Sequence, residues 1–66
     1  MARIENKVQE LRRKAGLTQE ELAGKAGVTR QTIIAIERGN YAPSVVLALR
    51  LAHILKTTVE QLFTLV

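Results

Sequence analysis

Catalysis and metal binding draw on a short menu of side chains, and this sequence offers little of it: one histidine (His53), one serine (Ser44), no cysteine and no aspartate. A hydrolytic triad needs a nucleophile, a base and an orienting acid within reach of one another, and a structural zinc needs several His or Cys ligands. With no other His and no Cys or Asp in the chain, His53 joins no convincing set of either kind. The expectation is a protein that is not an enzyme, with no metal, no cofactor and no small-molecule ligand. What the chain has in quantity is positive charge: ten Lys and Arg against six acidic residues, a formal net charge of +4. That balance favours a polyanionic partner over an acidic substrate, although charge of this size also serves solubility. The two aromatics, Tyr41 and Phe63, are too few and too far apart to stack bases, which argues against single strands and RNA.

Such side chains must be positioned by a very small body. Sixty-six residues make one domain, residues 1–66, with a thin core and no disulfide to staple it. No apolar run approaches the roughly 18 residues of a membrane span, so no membrane partner is expected. The segment from Met1 to Asn6 lacks the apolar stretch of a secretory signal, and the absence of cysteine suits a reducing compartment; the expected location is cytoplasmic.

Local signals predict an all-α fold of five helices. The first covers about residues 5 to 15, with Ile4, Val8, Leu11 and Ala15 along one stripe and Gly16 as its stop. Thr18 caps a second helix, and Glu21 three residues on completes a capping box; Leu22, Ala23 and Ala26 form its inner face. Gly27 closes it. Thr29 caps a third helix running to about Arg38, with Ile33 and Ile36 turned inward. After the Asn40–Pro43 connection, Ser44 caps a fourth, about residues 45 to 55, whose inner stripe is Val45, Ala48, Leu51, Ala52 and Leu55. Thr58 and Gln61 make a second capping box for a short fifth helix, from which Val59, Leu62 and Phe63 turn back onto the core.

The window from about 18 to 38 is the most informative. Ala23 lies where two helices joined by a tight turn approach most closely, Gly27 can take the positive φ of that turn, and Val28 anchors it. Quoted whole, TQEELAGKAGVTRQTIIAIERG resembles the helix-turn-helix of the phage repressor and Cro family of DNA-binding regulators. LRRKAGLTQEELA, NYAPS and LAHILKTTVEQLF are similar to the flanking helices of that family, so the likeness spans nearly the whole chain. It implies a five-helix, lambda-repressor-like domain that binds specific double-stranded DNA, places helix 3 in the major groove and regulates transcription, with a repressor as the expected role.

The resemblance also implies residue roles. Arg30 and Gln31, in the first turn of helix 3, would meet base edges: Arg pairs with guanine O6 and N7, Gln with adenine N6 and N7. Ile34 departs from the family's polar residue; with Ile33 and Ile36 already inward, it is expected to be exposed and to touch a thymine methyl, with Ala35 small enough to allow close approach. Gln19 and Thr18, at the start of helix 2, would hold a phosphate, as would Thr29, Thr32, Asn40 and Tyr41. Arg12 would pair with Glu37 and brace helix 3. A homodimer is expected through Val46, Leu49, Val59, Phe63, Leu65 and Val66, which offer more apolar surface than a short helix pair can bury. Two alternatives stay open: an antitoxin-type autorepressor whose protein partner covers that apolar end, and an interaction module that keeps the fold without reading DNA.

Overall fold

Local capping chemistry starts four of the helices. In the computed structural model, which describes residues 3–66, the helices are α1 (Val8–Lys14), α2 (Gln19–Ala26), α3 (Arg30–Glu37), α4 (Val45–Ile54) and α5 (Val59–Leu62). Met1 and Ala2, where the reading of the N-terminus begins, lie outside the described residues. The side chains of Thr18, Thr29, Ser44 and Thr58 each accept a backbone N–H from three residues on, at 3.0 to 3.4 Å. These bonds satisfy donors that a helix start leaves unpaired. The Thr18–Glu21 capping box is complete, with Glu21 Oε1 accepting the Thr18 N–H at 2.9 Å. The second expected box is only half formed, because Gln61 Oε1 accepts from the Thr57 hydroxyl.

Four helices stop in one way: the last turn is closed by paired backbone bonds around a residue in the left-handed conformation. Gly16, Gly27 and Gly39 take this place after α1, α2 and α3, with φ of 74°, 74° and 77°. After α4 the place belongs to Lys56, at φ 56°, with its N–H on the His53 carbonyl and that of Thr57 on Ala52. A side chain there costs roughly 1–2 kcal/mol that glycine avoids.

The all-helical expectation needs one correction. Strand β1 (Ile4–Asn6) pairs antiparallel with β2 (Phe63–Leu65), Ile4 opposite Leu65 and Asn6 opposite Phe63. The ribbon continues as Arg3 and Val66 exchange backbone bonds at 3.1 and 2.8 Å, and Lys7 N–H reaches Leu62 O. Helix α1 therefore starts at Val8, later than expected, and Ile4 is an exposed strand residue. Helix α5 is a single turn that hands over to β2 at Phe63.

Inside, Val8, Leu22, Ile33, Ile36, Leu51 and Leu62 are fully buried, and Ala23, Ala26 and Ala52 let the helices approach. Truncating one of the large ones to alanine costs roughly 2–5 kcal/mol. Val45 departs from the inner stripe: as the first residue of α4 it is 75% exposed, and the stripe begins with Leu47 and Ala48.

Candidate nucleic-acid interface

The α2–α3 pair is set by its turn. Gly27 donates to Gly24 O and Val28 to Ala23 O, closing α2, and Thr29 then caps α3 two residues after Gly27. Ala23 is buried at the crossing. Such a turn leaves the first residues of α3 in solvent, and Arg30 and Gln31 are both exposed. Thr29 and Thr32 bond to each other through their hydroxyls at 3.2 Å, and Asn40 and Tyr41 are exposed in the following loop.

Behind this surface lies a buried polar clamp. Arg12 Nε donates to Glu37 Oε2 at 2.7 Å, with both side chains nearly buried, and Arg12 Nη1 donates to the Leu17 carbonyl at 2.8 Å. The other Glu37 oxygen accepts from Gln19 Nε2 at 3.0 Å. One carboxylate on α3 is thus held by a guanidinium from α1 and an amide from α2. Arg12 and Glu37 meet as expected; Gln19, expected at a phosphate, also carries this internal bond. Its side chain is half-buried and shares a shallow groove of about 300 Å³ with Arg30, Ile34 and Arg38.

Ile34 corrects another expectation: expected to be exposed, it is half-buried and lines this groove. Ala35 is half-buried too. Of the apolar residues expected at a dimer contact, Val59 and Phe63 pack against the chain's own core. Val46, Leu49, Leu65 and Val66 are 56 to 72% exposed, and Val45 joins them.

One residue of this scaffold escaped the sequence reading. Asn6, in β1, donates from Nδ2 to the Ile36 carbonyl near the end of α3 at 2.8 Å, while its Oδ1 accepts the Val8 N–H at 3.1 Å. Asparagine just before a helix is a recognisable cap signal; its second bond, thirty residues away, leaves no local trace. At the start of α2, the Thr18 N–H holds the Glu21 carboxyl below its ordinary value, aided by the Thr18 hydroxyl.

Two helices at this turn, the second with a polar, exposed start and a braced rear, define a helix-turn-helix DNA-binding protein. A family model described as helix-turn-helix matches residues 8–62, and the chain belongs to that family. It is a DNA-binding transcriptional regulator with the five-helix, lambda-repressor-like architecture, and the ribbon is a minor addition. An HTH-type transcriptional regulator of Methanothermobacter thermautotrophicus is 54% identical over 59 residues, 88% of this chain and 86% of the relative. Among solved structures, the restriction-modification controller protein C.AhdI from Aeromonas hydrophila superposes with a TM-score of 0.77 at 36% identity, covering 83% of each chain. SinR, a Bacillus subtilis regulator of biofilm formation solved in complex with DNA, superposes at 0.75 with 29% identity, covering 82% of this chain and 87% of that one. No helix among the described residues is long and apolar enough to cross a membrane.

Proposed function

We propose that the protein is a cytoplasmic repressor that binds specific duplex DNA as a two-fold homodimer, each copy reading one half-site with α3 in the major groove. The observation that carries this reading is the braced helix. The Glu37 clamp and the Asn6 bond hold the rear and end of α3 to α1, α2 and β1, so Arg30 and Gln31 project from a fixed support. Base recognition needs such a support, because a bidentate contact tolerates little misplacement.

Arg30 and Gln31 contact base edges, with Ile34 and Ala35 lining the approach. Thr18, Gln19, Thr29, Thr32, Asn40 and Tyr41 serve phosphates. Gln19 does so with its backbone N–H at the start of α2 and with the second N–H of its side-chain amide, the first being held by Glu37. Val46, Leu49, Leu65 and Val66, exposed on α4 and the end of the ribbon, meet their symmetry mates and set the recognition helices about 34 Å apart, one turn of duplex.

Selection of bound sequences from a random duplex pool defines the operator. Arg30→Ala and Gln31→Ala then relax preference at different positions of a half-site, while Thr18→Ala weakens all sequences about equally. Unchanged preference in both α3 variants overturns the orientation.

A further inference from the structure

Away from the α3 surface, the ends of three helices border a second, open groove, of about 660 Å³, whose lining shares no residue with the groove around Arg30 and Gln19. Its floor is apolar: Leu11, Leu17 and Ile54 are half-buried and pack on the core from beneath. Its rim is basic: Lys14, Lys25 and Lys56 stand around that floor, three of the four lysines in the whole chain. No carboxylate is among the lining residues. Lys14 has one acidic neighbour, Glu10, at 3.5 Å, with both side chains largely in solvent, where such a pair is weak.

Lys56 adds an independent observation. The same left-handed place is filled by glycine after each of the three preceding helices, and glycine would fill it here without strain. A charged side chain held instead in an unfavourable backbone conformation, on the rim of a groove, is the kind of local cost that accompanies a binding role.

The geometry points to this groove as a docking site for an acidic, amphipathic segment of a partner protein, whose apolar side chains enter between Leu11, Leu17 and Ile54 and whose carboxylates meet the three lysines. Charge complementarity selects the acidic partner. An apolar floor that is half-buried while the lysines around it are exposed selects a segment with projecting side chains over a flat anionic membrane, and duplex DNA has no apolar side chains to fill it. Because the two linings are separate, the partner and DNA bind together, which gives a regulator this small a contact to other machinery while it sits on its site. The inference does not rest on the orientation of α3 on DNA.

The test is an NMR titration of the full chain with a short helical peptide of glutamate and leucine, carrying leucine on one face. Controls are the same peptide with lysine for glutamate, phosphatidylglycerol vesicles and an unrelated duplex. The glutamate peptide should shift the methyls of Leu11, Leu17 and Ile54 saturably, and Lys25→Gln with Lys56→Gln should weaken it about tenfold. Lys56→Gly separates fold from function: the melting temperature rises while peptide affinity falls. Equal binding of the lysine peptide, stronger binding of vesicles or duplex at these methyls, no saturable shift there, or unchanged peptide affinity in the lysine variants each overturns the proposal.

Discussion

The side-chain amide of Asn6 joins two helices through its two ends: Oδ1 accepts the Val8 N–H at the start of α1, and Nδ2 donates to the Ile36 carbonyl near the end of α3. Asn6→Asp separates the two roles, because a carboxylate still caps α1 but turns an oxygen toward the Ile36 carbonyl. The expected loss of stability is about 1–3 kcal/mol, read by urea unfolding. Measured well below the melting temperature, the ratio of operator to non-specific affinity should also fall. An unchanged ratio would make the bond purely structural.

Arg12 and Glu37 should couple strongly. Exposed ion pairs give about 0.2–1 kcal/mol in double-mutant cycles, whereas removing one partner of a buried pair costs roughly 3–5 kcal/mol. Arg12→Met and Glu37→Gln, singly and together, should therefore be far from additive in unfolding free energy. Gln19→Ala should couple to Glu37→Gln as well, more weakly, through the shared oxygen.

Gly24 is a helix-interior glycine, and a methyl group added there would meet nothing within 4 Å. Gly24→Ala should stabilise the protein by about 1 kcal/mol, with DNA affinity unchanged. A destabilised variant in thermal melts would show that the position serves an approach by another chain.

Dimerisation has its own probe in Val46, exposed on α4. Val46→Glu should leave the helical circular dichroism intact while sedimentation shifts to monomer and operator affinity drops by at least about tenfold, the share of one apolar contact and one added repulsion. A wild-type chain that is monomeric at high micromolar concentration and protects only one half-site would remove the dimer reading.

Glu21 titrates below its ordinary value because the folded chain donates the Thr18 N–H to it. A carboxyl depressed in the folded state stabilises above its unfolded pKa, about 4.3, and that contribution disappears as pH falls through the lower folded value. Glu21→Gln should flatten the acid limb of stability in that window, and the Glu21 carboxyl resonance should titrate below its value in an unstructured peptide.

How far the sequence carried this reading follows the distance over which each signal acts. The caps at Thr18, Thr29, Ser44 and Thr58, and the glycine stops, are chemistry within four residues and were legible, as was the Ile33–Ile36 face. The ribbon was not. Strands of three residues carry no readable alternation, and the partner of Ile4 lies at the far end of the chain. Ile34 shows another limit: helix periodicity gives a face but not how far a residue at its edge is covered. The placement of Arg30 and Gln31 followed from the turn, while the second bond of Asn6 and the basic groove depend on helices brought together only by folding.

The ribbon has a mechanical consequence. Arg3 and Val66 exchange bonds at its open end, so the first and last described residues leave the body side by side. A tension drawing these two ends apart would load the backbone bonds one pair at a time, as in a zipper, instead of shearing them together. The ribbon should yield at low force and release β1 from β2 first, and with β1 goes Asn6, the residue that holds the end of the recognition helix.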